Sequence, residues 1–415
     1  MTAAIPGNLA PIAAAERIEA MDVLRGFALL GILLMNMEAF VGPVLASGTG
    51  LDPALTGIDR TVDLLIYILV QGKFYTLFSL LFGMGFAVMS QRAERAGRPF
   101  AGLYWRRGLV LLAIGAVHAI FVWSGDILMM YALCSFLLLA FRSLPPRWLP
   151  WLGLAAYVAP IAFMYLMGAV GSMLEGTAGW DKMMAQIGEQ LHSMIEAERT
   201  AYGAGSYADA TLQRLRSTGM GLSNITMFGF IVGGMFLLGA WFVRSGAIAA
   251  PGVFPRLYAL LRWVALPLGL LAMLGSVALA PTMDMAAFNL RLSTAFALQQ
   301  VANLLMCLGY AAWIVRALQS PAWQRPLRAL APAGRMALTN YLAQSLLCTW
   351  IFYGYGLGWF GQLPRAWQVP FALALFALQA LASRAWLSRF RFGPMEWAWR
   401  SMTYLAPQPM RLRPA

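Results

Sequence analysis

Residues 106–131 read RRGLVLLAIGAVHAIFVWSGDILMMY, and the organisation of the chain follows from how this stretch folds. Arg106 and Arg107 open an apolar run of helical length, and His118 lies deep inside it. The polar tip Trp123-Ser124-Gly125-Asp126 then turns the chain back into a second apolar run. Arg107 and His118 are eleven residues apart. At about 100° per residue they share one helix face, about 16 Å apart along the axis. His118 is one of two histidines in 415 residues, and only it falls inside an apolar segment. An ionisable group within a membrane span is costly to keep and reads first as functional. The competing reading is a neutral histidine hydrogen-bonded to a neighbouring helix as interhelical glue. Arg107 and Asp126, on either side of it, favour function.

The wider chain has the composition such a helix requires. Hydrophobic residues make up 60% and charged residues 11%, against about 25% charged in soluble domains. Apolar blocks recur at about the twenty residues that cross a hydrocarbon core. The fold class is therefore an all-α polytopic membrane protein. Ten spans are expected, near 23–43, 70–90, 107–123, 127–143, 149–172, 222–243, 257–280, 293–315, 336–357 and 367–388. A short segment, 1–22, precedes the helical domain at 23–388, and an interfacial helix and tail, 389–415, follow it. The net charge of +13 does not indicate a nucleic-acid partner, because the arginines sit in short connectors between spans. With both termini in the cytoplasm, 22 of the 30 basic residues fall on the inner side, as the positive-inside rule asks. No apolar run with a cleavage site opens residues 1–21, so the first span serves as its own insertion signal. Cys134, Cys307 and Cys348 lie in apolar spans without disulfide or metal-ligand spacing and read as small buried hydrophobes.

Several further polar residues fall inside or beside the spans. Arg25 and Asn36 repeat the eleven-residue spacing in the first span, where Asp22 pairs naturally with Arg25 at i,i+3, and Glu38 follows two residues after Asn36. Lys73, one of two lysines, either snorkels to the headgroups or serves a site. Residues 175–221 form the one sizeable polar stretch, with the apolar spacing of an amphipathic helix on the outer surface and the length of a lid. His192, set among glutamates there, reads as a solvated surface residue. The ninth span opens Gly334-Arg335-Met336-Ala337-Leu338-Thr339-Asn340-Tyr341. After the last span, Pro394 starts a short helix in which Glu396 and Arg400 are spaced to pair and Trp397 and Trp399 suit the headgroup layer.

Taken together, Asp22-Val23-Leu24-Arg25-Gly26-Phe27 with Asn36, Lys73-Phe74 through Phe82-Gly83-Met84-Gly85, His118 with Trp123 to Leu128, Gly334 through Tyr341, and Phe392-Gly393-Pro394 with Glu396, Trp397 and Arg400 resemble the YeiB-like family of bacterial inner-membrane proteins. That family in turn resembles the transmembrane acyltransferases, including acyltransferase family three and heparan-α-glucosaminide N-acetyltransferase. Acyltransferase family three is marked by an arginine, ten residues, then a histidine, a spacing that Arg107 and His118 match. The resemblance implies transfer of an acyl group from cytoplasmic acyl-CoA to an acceptor reached from the other side.

On that expectation, Arg106, Arg107, Arg25 and Arg335 hold the CoA phosphates. His118 acts as general base or acyl carrier, with Asp126 orienting its ring or handling the acceptor proton. Asn36, Asn340 and Tyr341 are candidate donors to the developing oxyanion or the acceptor, and Glu38, Lys73, Trp123 and Tyr131 complete the candidate substrate contacts. The expected partners are membrane lipids, acyl-CoA and a sugar, lipid or small-metabolite acceptor, with a homodimer left open. The rival class is a secondary transporter of a small metabolite or lipid precursor built on paired repeats; the third is a non-catalytic scaffold.

Overall fold

The computed structural model describes residues 17–223, 225–284 and 287–412. Among these residues the chain is a bundle of helices without a β-strand. It begins with α1 (Glu19–Val41), α2 (Gly57–Leu69), α3 (Lys73–Arg95), α4 (Ala101–Phe121) and α5 (Leu128–Leu138). The middle of the chain forms α6 (Leu149–Leu174), α7 (Ala178–Gly203), α8 (Tyr207–Ser223) and α9 (Ile225–Arg244). There follow α10 (Pro255–Leu260), α11 (Leu266–Leu279), α12 (Leu290–Ala317), α13 (Pro321–Arg328) and α14 (Ala331–Arg335), then α15 (Ala337–Phe352), α16 (Arg365–Leu387) and α17 (Pro394–Tyr404).

Eight helices among the described residues are long and apolar enough to cross a membrane. The chain is an all-α polytopic membrane protein. The other two segments expected to span, α5 and α15, are 11 and 16 residues long, or about 16 and 24 Å, less than the roughly 30 Å of a hydrocarbon core. α5 ends early because residues 139–142 tighten into i+3 turns ahead of Pro145 and Pro146, which cannot continue a helix. The span through α10 and α11 widens into a π turn at Leu261–Ala265 just before Pro267, whose missing N–H disturbs the helical ladder there.

α1 is the central element, packed against α3, α14, α15 and α16, with Val23, Leu24, Ala28, Leu29, Leu33 and Met37 fully buried. α3 and α9 touch backbone to backbone. A Cβ at Gly83 would lie 2.0 Å from the Phe236 carbonyl oxygen, and one at Gly239 would lie 1.9 Å from that of Leu80. Small residues allow such approach where helices gain nothing by excluding water. The polar stretch 175–221 folds as two helices, α7 and α8, rather than one. Of the segment 1–22 only residues from Arg17 onward are described, and Arg413 lies outside the described residues.

Candidate active site

A cavity of about 240 Å³ opens at the end of the bundle where α4 begins and runs between α1, α3, α4, α5 and α15, with α14 and α17 at its rim. Among the described residues its rim carries the guanidiniums of Arg17, Arg25, Arg92, Arg107, Arg335, Arg391 and Arg400 and the carboxylates of Asp22 and Glu396. Both acids are engaged. Asp22 accepts from Arg25 at 2.8 Å. Glu396 Oε1 accepts the backbone N–H groups of Leu338 and Thr339 at 2.7 and 3.1 Å, and its Oε2 accepts the Thr339 hydroxyl at 2.6 Å. These bonds cap the start of α15, where a helix leaves N–H groups without partners, so the expected Glu396–Arg400 pair gives way to this cap. Burial, ahead of the neighbouring Arg17 and Arg25, depresses the Arg400 guanidinium below its usual range; burial and then Arg335 do the same to Arg17. Cations crowded together out of water are each relieved by an anion.

Beyond the rim the walls are apolar: Ile32, Phe78, Leu81, Phe82, Leu111 and Leu128. The cavity reaches Ile127, Tyr131 and Tyr341. His118 is not on the wall. Its ring stands behind that of Tyr341, centroids 5.2 Å apart, and is 2% exposed. Its Nδ1 is 2.7 Å from Asp126 Oδ2, and its Nε2 has no hydrogen-bond partner among the described residues. Asp126 Oδ1 accepts the Met129 N–H at 2.8 Å, capping α5. The tip comes this close because position 115 is glycine. A Cβ there would sit 2.6 Å from Met129 N and 3.1 Å from Asp126 Oδ1. A buried carboxylate accepting from Nδ1–H leaves Nε2 as the ring's free lone pair, the arrangement of a general base.

The structure thus brings together at one cavity Arg25, Arg107, Arg335, Tyr131 and Tyr341, with His118 and Asp126 immediately behind. The other candidates lie elsewhere. Arg106, about 100° round the helix from Arg107, is exposed and donates to the Thr403 carbonyl at 3.1 Å. The wall takes Arg25 and Ile32 from α1 and ends a turn short of Asn36. Glu38 sits at the opposite end with Arg365 at 3.5 Å, where Arg365 also pairs with Asp63 at 2.8 Å. Asn340 points at α16 and donates to Ser383 Oγ at 2.9 Å. Trp123 packs on Phe40 with centroids 4.3 Å apart and adjoins His118. Lys73 does not snorkel. It is fully buried and donates to the Tyr67 carbonyl at 3.0 Å, beside Met273 Sδ.

Sequence reasoning missed Arg17, Tyr104, Arg391 and Tyr404 on the wall and treated Trp399 and Arg400 as interfacial. Clustered arginine was the available signal, but nothing local shows that α17 folds back over the start of α4.

A multi-pass helical membrane protein with an arginine-rimmed internal cavity and a buried His–Asp pair behind it is the class that fold and site define. Residues 242–406 match the family described as "Protein of unknown function (DUF418)". The chain is 34% identical to "Uncharacterized protein YxaH" of Bacillus subtilis (strain 168), covering 97% of this chain and 98% of that protein. It is 32% identical to "Uncharacterized protein YeiB" of Escherichia coli (strain K12), over 95% and 98%. A 39.9 kDa protein encoded in an amylase 3′ region of Bacillus acidopullulyticus is 29% identical over 97% and 98%. The chain belongs to the YeiB-like family.

Proposed function

We propose that this protein is a transmembrane acyltransferase of the bacterial inner membrane, with the arginine rim facing the cytoplasm and taking acyl-CoA as donor. One observation carries the reading: a surplus of guanidiniums at the rim is joined by an apolar passage to the residues that screen His118 Nε2. Phosphates suit the rim through charge-assisted hydrogen bonds. The thioester arm runs inward, and Tyr341 turns aside to bring the thioester carbonyl to Nε2. Nε2 removes the proton from the acceptor hydroxyl or amine as the acceptor's oxygen or nitrogen bonds to the acyl carbon. The C–S bond then breaks, and the imidazolium returns the proton to the departing CoA thiolate. Asp126 stabilises the imidazolium between these steps.

The decisive experiment has two parts. CoA should raise the melting temperature of the purified protein, and Arg107→Ala should remove most of that rise. A comparison of lipids and envelope glycans should show an acylated species missing both from a deletion strain and from one complemented with His118→Ala. Unchanged profiles together with proton-coupled uptake into proteoliposomes would make the protein a transporter instead.

A further inference from the structure

We infer that α7 and α8 form a lid over the tip between α4 and α5, latched by two buried charges, and that its opening admits the acceptor to His118. The first part stands on contacts alone; the acceptor's route rests on the acyl-transfer reading. The two helices are mostly exposed. α7 buries only Glu198 and Tyr202, and α8 buries only Ala210, Gln213 and Arg214 among residues whose side chains are described. A segment with so little apolar contact sits at the low end of local stability.

What holds it is a few aromatic contacts, Tyr202 on Tyr353 at 4.7 Å and Tyr207 on Tyr355 at 5.2 Å between ring centres, together with polar bonds. Glu198, 0% exposed, accepts the Leu45 N–H at 3.0 Å and the Ser217 hydroxyl at 2.9 Å. Arg214, also 0% exposed, donates to the Phe121 carbonyl at 3.3 Å and the Tyr355 hydroxyl at 2.7 Å. Its guanidinium lies 5.3 to 6.0 Å from the ring centres of Tyr202, Tyr207, Tyr353 and Tyr355. No carboxylate pairs with it among the described residues, and its Nε has no partner. The Tyr207 hydroxyl also donates to the Phe121 carbonyl, at 2.8 Å, and the Tyr202 hydroxyl meets that of Ser124 at 3.1 Å.

The lid's grip on the tip therefore lands on Phe121 and Ser124, three and six residues beyond His118. Lifting the lid rehydrates this guanidinium, which offsets part of the bonding lost, while its hydrogen bonds and the four tyrosine rings keep the docked state favoured. Docked and undocked states then lie close in free energy, as a switching element requires. Undocking also frees the last carbonyl of α4, next to the turn in which the Val122 and Trp123 N–H groups bond the His118 carbonyl.

Hydrogen exchange on the full-length protein in detergent tests this. Amides across 178–223 should exchange at one shared rate, faster than those of α9. Arg214→Gln should raise that rate about tenfold, with residues 119–127 following and α9 unchanged. If Arg214→Gln does not fold, Tyr355→Phe, which removes one acceptor and leaves the charge, should give a smaller rise. Protection in 178–223 equal to that of α9, or an unchanged rate in the variants, would overturn the lid. The CoA-induced rise in melting temperature, read at the opposite end of the bundle, should persist in these variants. Its absence from the wild type would count against acyl transfer and leave the lid standing.

Discussion

Arg107 lies over the Trp399 ring, its guanidinium carbon 3.6 Å from the ring centre, while the Trp399 indole N–H donates to the Arg107 carbonyl at 3.0 Å. The stack occupies one face of the guanidinium and leaves its N–H edges for an anion, which is how arginine holds phosphate. Trp399→Leu keeps an apolar contact but removes the stack and the backbone bond. It should weaken CoA binding about tenfold, near 1.4 kcal/mol, within the usual range for a desolvated cation–π pair. A titration of melting temperature against CoA reads this directly, and an unchanged affinity would place the donor away from α17.

The His118–Asp126 pair gives a sharper expectation, because each Asp126 oxygen is committed. Oδ1 caps Met129 and Oδ2 receives Nδ1–H. An asparagine has one acceptor oxygen. If that oxygen keeps the cap, the amide N–H faces Nδ1 and the ring proton moves to Nε2, leaving no base. Asp126→Asn should therefore lower the acylated product by 10²-fold or more, comparable to His118→Ala, as expected for loss of general-base catalysis. The CoA-induced thermal rise should survive in both variants. Normal product from Asp126→Asn would show that Asp126 serves only as a helix cap.

How much of this was legible follows from the range of each interaction. The helix face shared by Arg107 and His118 is a local property of 3.6 residues per turn, and His118 and Asp126, eight residues apart in sequence, meet across a single tip. The rim is another matter. It assembles Arg17, Arg107, Arg335 and Arg400 from distant parts of the chain, and no local pattern encodes that α17 returns over α4. Asn340 and Tyr341 show the limit within one helix. Neighbours about 100° apart point to different sides, and only packing decides that Tyr341 lines the cavity while Asn340 turns to α16.

Glu396 links α17 to the start of α15, and its environment predicts a pH dependence. Burial pushes its carboxyl above the ordinary value of 4.5, outweighing the three hydrogen bonds that favour the ionised form. A carboxyl raised on folding contributes stability that is fully present below its unfolded value, near 4.5, and is lost as pH rises through the folded value. Glu396→Gln keeps an acceptor for the α15 N–H groups and cannot ionise. The stability of the wild type relative to this variant should therefore fall as pH rises from about 4.5. Parallel melting curves across that window would mean the cap binds ionised Glu396 without penalty.

Lys73 separates site from scaffold. It is fully buried on α3, bonded to the Tyr67 carbonyl and set against Met273 from α11, and it is absent from the cavity wall. Removing an amine that has no carboxylate partner among the described residues, while keeping its volume, releases a desolvation cost and sacrifices one hydrogen bond. Lys73→Met should accordingly leave the melting temperature unchanged or raise it, and the response to CoA should match the wild type. Lys73→Ala should cost about 2–5 kcal/mol through the cavity it opens. Should Lys73→Met fold with an undiminished melting temperature yet lose its CoA response, the amine would belong to the donor site.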